Sequence, residues 1–326
     1  MTKNNETLYE FFINNKIDWR FPNEYGLGEN NLDCRQLSIM EVLRWRGNKN
    51  IIPVFLNSYD CFHKGILIRR SQPLLQCGWS INPVKQFPQQ EIDKTIRTLI
   101  DQEGYCLLSF NAIQMKLSNY YKVHDVTHWC LVLGYDENYI YIADTSGIQK
   151  FFSNSIGKIP WAAFLDAWDR LDSWGISVID YSNDECDNNS SNHVSKLLYD
   201  SVQSMKYEGG LKELSSFIST LENSDLRDLV SVLEQLEFDI HYFRRLRNLW
   251  KTAFEKHAVP EAYVVPGLVE ENMNVTKYWS LVMGVLMKWK RQPYQDYREK
   301  LFGYLREAYL AEVKYFDEME KTIGGI

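Results

Sequence analysis

The stretch THWCLVLGYDENYIYIADTS, residues 127 to 146, constrains this chain more than any other. Two apolar runs, Trp129 to Leu133 and Tyr139 to Ala143, flank the segment from 134 to 138, which is rich in turn-forming residues. Apolar runs joined by such a segment are typical of a β-hairpin. The stretch therefore predicts a hairpin around which its domain is organised.

Two polar residues stand at the open ends of the predicted hairpin, His128 before it and Asp144 after it. Pairing that is symmetric about Asp136 sets Val132 opposite Ile140 and His128 opposite Asp144. Opposed residues share a face, with Cβ atoms about 4.5 to 5.5 Å apart. At that separation a carboxylate can hold an imidazole in the tautomer of a general base. A slip of one residue would place the pair on opposite faces.

Cys34 is the candidate nucleophile for this histidine. It directly precedes RQLSIMEVLRWRG, in which Leu37, Met40, Val42 and Leu43 recur at helical spacing before Gly47, and either Asn31 or Asp33 can cap the helix. In the first turn of a helix the dipole and the unpaired N–H groups favour the thiolate, which is the form that attacks carbonyls. The sequence thus supplies a cysteine, a histidine and an aspartate in that order.

Composition narrows the class of protein. The net charge of -7, without a zinc-finger or aromatic RNA-reading motif, argues against a nucleic-acid binder. The longest apolar stretch, near Tyr278 to Met287, is too short to span a bilayer, and the first twelve residues do not resemble a signal peptide. Six cysteines without CxxC spacing suggest reduced thiols. We expect a cytoplasmic protein that binds neither nucleic acid nor a membrane.

The first 181 residues predict an α+β domain in which the helix that carries Cys34 packs on an antiparallel sheet. A helix is expected over 89–103 and a buried strand over 105–110. The polar loop 111–126 is long enough to suggest that it borders a site. Residues 72–88 carry prolines and indicate irregular chain.

Residues 182–192 are polar and lack periodicity, so they indicate a linker. The remainder, 193–326, predicts an all-α bundle. Its helices are expected near 192–206, 209–223, 225–257, 271–290 and 294–322.

Each candidate residue also has a structural interpretation. Cys34 could be a small buried hydrophobe. His124 and His128 have the HxxxH spacing of a metal pair, although they precede a strand, and we expect no metal site. Asp144 could cap the turn that begins at Thr145.

The run from His241 to Lys251 is the most basic stretch of the chain. Such a run is usually a solvated helix face. Its functional interpretation is a docking surface for an acidic protein, formed by Arg244, Arg245, Arg247 and Lys251.

The order of cysteine, histidine and aspartate is that of papain-like folds. Three segments carry a narrower similarity, and they are LDCRQLSIMEVLRWRG, GYCLLSF and HWCLVLGYDENYIYIADT. They resemble the family of butirosin biosynthesis protein H over about residues 15 to 180, with a weaker similarity in the helical half at GGLKELSSFI and RRLRNLWKTAFEKHA. Bacteriocin-processing cysteine peptidases share part of the pattern, but the helical second domain favours the biosynthetic family.

The resemblance implies a papain-like acyltransferase of antibiotic or other natural-product biosynthesis. Its donor would be the phosphopantetheine thioester of an acyl or peptidyl carrier protein, and its acceptor an amine, on a separate molecule or on the same one. The enzyme itself would bind no cofactor. Carrier proteins are generally acidic, which gives the basic run a role. Many papain-like enzymes have an oxyanion-hole glutamine where this chain has Gly28, so Asn30 and Asn31 are the candidate donors.

In this interpretation Cys34 attacks the thioester carbonyl after giving its proton to His128, and Asp144 orients the imidazolium. In an alternative mechanism, His128 activates the amine directly, without a covalent intermediate. A cysteine peptidase or amidase would use the same three residues with water as acceptor. A non-catalytic binding or scaffold protein, in which Cys34 is structural, is the third alternative.

Overall fold

The structure is a computed structural model that describes residues 6–84, 89–145, 152–153, 155–182 and 190–325. Within these ranges the helices are α1 Leu8–Asn14, α2 Cys34–Trp45, α3 Ile52–Phe55, α4 Ile92–Glu103, α5 Trp161–Trp168, α6 Ser190–Val202, α7 Gly210–Glu222, α8 Leu226–Glu255, α9 Pro266–Arg291 and α10 Arg298–Gly324. The strands are β1 Phe62–Lys64, β2 Leu67–Arg69, β3 Trp79–Pro83, β4 Cys106–Asn111, β5 Thr127–Tyr135, β6 Tyr139–Ala143, β7 Phe152–Ser153, β8 Ile156–Pro160 and β9 Trp174–Tyr181.

The chain divides into two compact units. The sheet unit consists of residues 1–51 and 78–182, and the helical unit of residues 52–77 and 183–326. The sequence predicts a single boundary at 182–192, so the assignment of residues 52–77 to the first domain is corrected. The predicted linker itself falls mostly outside the described residues.

The sheet unit is built on one antiparallel sheet of seven strands, in the order β3-β9-β4-β5-β6-β8-β7. The α+β class predicted from the sequence is confirmed. Strand β3 is a correction, because residues 72–88 were expected to be irregular. It pairs with β9 at the edge of the sheet, where Pro83 at the strand end is tolerated.

One face of the sheet is covered by α4 and α5. Alternate residues of the central strands point into this core, as the two-residue period of a strand requires. Its buried members include Ile96 of α4, Phe164 of α5 and Val132 of β5. The predicted helix stop at Gly104 is confirmed, since that residue has a φ of 82° in the left-handed region.

The helical unit confirms the predicted all-α bundle and adds a small hairpin. Helices α8, α9 and α10 pack together, and α3 and β2 pack on α8. The hairpin of β1 and β2 therefore joins this unit because β1 packs on α7 and β2 packs on α8. Among the described residues, no helix combines the length and apolar character needed to cross a membrane.

An ion pair lies in the core of the helical unit. Arg247 donates from Nε to Glu312 at 2.7 Å, and both side chains are fully buried. Trp279 donates from its indole N–H to the same carboxylate at 2.7 Å. The prediction that Arg247 belongs to a docking surface is therefore wrong: on a long amphipathic helix the sequence does not mark which cation faces inward.

Candidate active site

The N-terminus of α2 places Cys34 at the first helical position. Asp33 is the N-cap, as one of the two predicted alternatives stated. Its carboxylate accepts from the Gln36 N–H at 2.8 Å, and the Gln36 side chain accepts from the Asp33 N–H at 3.2 Å. This capping box fixes the start of the helix and leaves the Cys34 side chain partly exposed.

Helix α2 packs on β5. Its buried residues include a carboxylate, Glu41, which accepts from Trp19 Nε1 at 3.2 Å and pairs with Arg44 at 2.5 Å. Burial raises the pKa of Glu41 to about 7, against the opposing effect of Arg44. Polar contacts thus anchor the nucleophile helix on its inner side.

The β5–β6 hairpin is present, but its register differs from the predicted one. Val132 lies opposite Ile142 rather than Ile140. The turn is centred beyond Asp136, whose N–H donates to the Tyr139 carbonyl at 2.9 Å. The prediction of symmetry about Asp136 is wrong because the turn-forming segment does not by itself fix the centre of the turn.

A β-bulge compensates for the later turn. The pairing shifts between Val132 and Gly134, so Leu133 is the extra residue on β5. Nearest the turn, Gly134 pairs with Tyr141. If this register continued without a bulge, Leu131 would lie opposite Asp144, and the His128 side chain would point to the other face of the sheet. The bulge restores the face that His128 and Asp144 share.

The two residues meet diagonally rather than directly. Leu131 pairs with Ala143, and continuing that ladder sets Cys130 opposite Asp144. His128 lies two residues before Cys130, so its side chain leaves the same face, within diagonal reach of its partner. The His128 Nε2 atom lies 2.7 Å from Asp144 Oδ1, and both side chains are buried.

The other ring nitrogen of His128, Nδ1, remains for Cys34, whose side chain also hydrogen-bonds the imidazole. Burial acts to lower the pKa of His128, but the Asp144 carboxylate and the Cys34 side chain raise it well above its ordinary value. The imidazole is therefore held between a carboxylate and a thiol. The structure thus brings together the three residues predicted as catalytic.

Two aromatic rings that the sequence analysis did not select flank the imidazole. Phe110 of β4 pairs with His128 across the sheet, and their ring centroids are 5.6 Å apart at 66°. Tyr120 lies edge-on to the imidazole, with centroids 5.5 Å apart at 88°. A sequence signal existed for Phe110, as the last aromatic of a buried strand, whereas Tyr120 stands in a loop without periodicity.

The loop 112–126 borders the site, as its length predicts. Its ends are joined by a hydrogen bond from the Ala112 N–H to the Val126 carbonyl, at 2.9 Å. Asn111 Nδ2 donates to Asp125 at 2.7 Å and closes it further. Residues inside the loop, including Met115 and Ser118, are buried against the sheet.

A small cavity lies between this loop and the sheet. Its walls are apolar apart from Ser118 and Asp144, and they include Met115, Cys130 and Phe164. Its volume of about 20 Å³ suffices for a group the size of one water molecule.

The two asparagines predicted as oxyanion donors differ in position. Asn31 is buried, and its side-chain carbonyl accepts from the Gly28 N–H at 3.3 Å, which orients the amide. Asn30 is exposed. Burial and orientation favour Asn31 of the two.

The basic run retains three partly exposed cations. Arg244 donates to Ser280 Oγ at 3.3 Å, Arg245 is half-buried, and Lys251 lies 3.3 Å from Glu255. Without Arg247, this is a smaller positive surface than predicted.

Three of the other described cysteines are more buried than Cys34. Cys61, Cys106 and Cys130 are buried, and burial raises the thiol pKa of each. Cys77 is partly exposed, and Cys186 lies outside the described residues. Over the described residues, no group of three or more His, Cys, Asp and Glu side chains has the arrangement of a metal site.

Comparison with known proteins gave no relative: no protein-family model matches this chain, and no curated protein does.

Proposed function

We propose that this protein is a thiol-dependent acyltransferase with Cys34 as nucleophile, His128 as base and Asp144 as the residue that orients the base. The observation that carries the proposal is the buried contact of Asp144 with His128, at 2.7 Å, together with the Cys34 hydrogen bond to the same ring. A thiol nucleophile, an imidazole that exchanges its proton and a carboxylate that orients the imidazole are the groups that this kind of covalent acyl transfer uses.

The reaction proceeds in two halves. The Cys34 sulfur forms a bond to the carbonyl carbon of a thioester, the bond from that carbon to the departing sulfur breaks, and His128 gives its proton to the departing thiolate. An amine then attacks the acyl-enzyme, His128 takes the amine proton, and the carbon–sulfur bond to Cys34 breaks. Backbone N–H groups at the start of α2 and the Asn31 amide stabilise the oxyanion in both halves.

Burial of the base favours transfer over hydrolysis. His128 exposes 3% of its surface, and two aromatic rings flank it. A site that excludes water protects an acyl-enzyme from hydrolysis until an amine arrives. The cysteine peptidase or amidase would use the same three residues, and the test below separates it from the transferase.

The proposal includes a papain-like identity for the sheet unit and membership of the butirosin biosynthesis protein H family. Its support is the nucleophile at the N-terminus of α2, the antiparallel sheet that carries the histidine, and the order of the three residues. The donor is then an acyl or peptidyl carrier protein that brings its own phosphopantetheine. Arg244, Arg245 and Lys251 are the proposed docking cations.

The test compares the fate of the acyl group. The protein is incubated with acyl-loaded carrier proteins, with and without a panel of amines, and the products are identified by mass spectrometry. Transfer predicts amide products that need an amine and that disappear in Cys34→Ala. Free acid in equal amount with and without amines, or cleavage of peptides, would instead establish the hydrolase. A Cys34→Ala variant with unchanged activity would support a structural role for Cys34.

A further inference from the structure

The orientation of the His128 ring depends on more than its two hydrogen-bonding partners. A hydrogen bond from Nε2 to Asp144 fixes one ring nitrogen, but the ring can still tilt about that bond. Its faces and edges therefore need packing to keep Nδ1 directed at Cys34. The flanking rings belong to different elements, Phe110 to β4 and Tyr120 to the loop 112–126.

The two flanking rings differ in what else they do. Phe110 exposes 4% of its surface and also contacts Trp168 in the sheet core, with centroids 6.5 Å apart. Tyr120 is only half-buried and stands in the loop, where its ring also contacts His124 at 5.0 Å. Tyr120 can therefore be replaced without opening the sheet core.

We propose that Tyr120 is a positioning residue of the active site, whose ring packs edge-on against His128 and keeps the imidazole directed at Cys34. The aromatic ring performs this role, so phenylalanine should replace tyrosine at this position. The inference rests on the proposed thiol chemistry but requires neither a carrier protein nor an acceptor amine.

Several titratable groups face His128 from the surrounding elements. Asp144 follows β6, Cys34 begins α2, and Tyr120 comes from the loop, where its ring also contacts His124; Cys130 lies two residues along β5 from His128. A loss of Tyr120 leaves Asp144 and Cys34 in place. The expected change is therefore in the geometry of the pair rather than in its charges.

The test measures alkylation of Cys34 by iodoacetamide as a function of pH. Peptide mapping assigns the modified cysteine, and Cys34→Ala supplies the background from the other cysteines. The reaction at neutral pH depends on the contact between thiol and imidazole, whereas at high pH any accessible thiol reacts as thiolate. The measured quantity is the ratio of the two rates.

Tyr120→Ala should lower the rate at neutral pH by about fivefold, since one aromatic contact is typically worth about 1 kcal/mol, and should leave the rate at high pH unchanged. Tyr120→Phe should restore the wild-type profile. Tyr121→Ala is the matched control, because Tyr121 is the adjacent tyrosine, is also half-buried, and has a ring contact with Lys122.

A wild-type profile for Tyr120→Ala would overturn the proposal. A loss in Tyr120→Phe as large as in Tyr120→Ala would also overturn it, by assigning the effect to the hydroxyl. An equal loss in Tyr121→Ala would reduce the effect to general loosening of the loop. Failure of the acyltransferase function leaves this experiment intact, because alkylation reports on the pair directly.

Discussion

Replacing Asp144 with asparagine tests the electrostatics of the site at a single atom pair. The substitution preserves the shape of the side chain and a carbonyl that can accept from His128, but it removes the charge. A hydrogen bond to a charged group contributes about 1.5 to 3 kcal/mol. Since that interaction favours the protonated ring, losing the charge should lower the pKa of His128 in Asp144→Asn.

The assay is a titration by NMR of the protein with isotope-labelled histidine, in which His128→Asn identifies the resonance. In the wild type the His128 signal should titrate well above the ordinary value, because Asp144 and Cys34 outweigh burial. In Asp144→Asn the carboxylate no longer opposes the effect of burial, so the pKa of His128 falls. A His128 pKa that is unchanged or higher in the variant would refute this account of the pair.

The same substitution has a consequence for stability whose sign follows from linkage. The pKa of His128 is raised in the folded state. The stability that the protonated ring contributes is therefore fully present below the unfolded-state pKa of about 6.5, and it is lost as pH rises through the folded-state pKa. The deficit of Asp144→Asn in free energy of unfolding should therefore be largest at mildly acidic pH and shrink toward alkaline pH. Asp144→Asn in a His128→Asn background should lack this pH dependence.

Three further predictions concern the elements around the site. Asp33→Ala removes the cap of α2, so it should lower the free energy of unfolding by about 1 kcal/mol and slow the alkylation of Cys34. Thr7→Ala removes the similar capping box of α1 and should cost as much stability without slowing alkylation. Burial raises the pKa of Glu41 to about 7, so the unfolded state ionises first as pH rises. The free energy of unfolding should therefore fall by about 3 kcal/mol between about pH 4.5 and about pH 7. Urea titrations of Glu41→Gln should lack that fall. Arg247→Met should cost about 3 to 5 kcal/mol because it leaves Glu312 buried without its counter-charge. Lys251→Gln, at a side chain that is 38% exposed, should instead change stability little, and weaker carrier-protein binding by this variant would support the docking assignment.

Local sequence signals predicted much of the fold. The cap at Asp33, the stop at Gly104 and the hairpin of β5 and β6 depend on neighbouring residues, which is why pattern reasoning located them. The contact between His128 and Asp144 was predicted through an incorrect register. The contact exists because the turn is centred beyond Asp136 and Leu133 forms a one-residue bulge. The two shifts together keep the side chains of His128 and Asp144 on the same face of the sheet.

The features that the sequence did not reveal depend on distant parts of the chain. Residues 52–77 join the helical unit because α7 and α8 pack on them, and the contact between Arg69 and Asp239 spans 170 positions along the chain. Arg247 is buried because it donates to Glu312, whose carboxylate also accepts from Trp279. Tyr120 reaches His128 through the path of the loop 112–126, which no periodicity describes.

The central claim is that Cys34 carries the acyl group, and intact-mass measurement of the protein after incubation with acyl-loaded carrier protein tests it most directly. The wild type should gain the mass of the acyl group on Cys34. His128→Ala should gain it about 10² to 10⁴ times more slowly, as for loss of a positioned base, and Cys34→Ala should gain none. An adduct of equal amount on Cys34→Ala, or mapped to another residue, would contradict the claim.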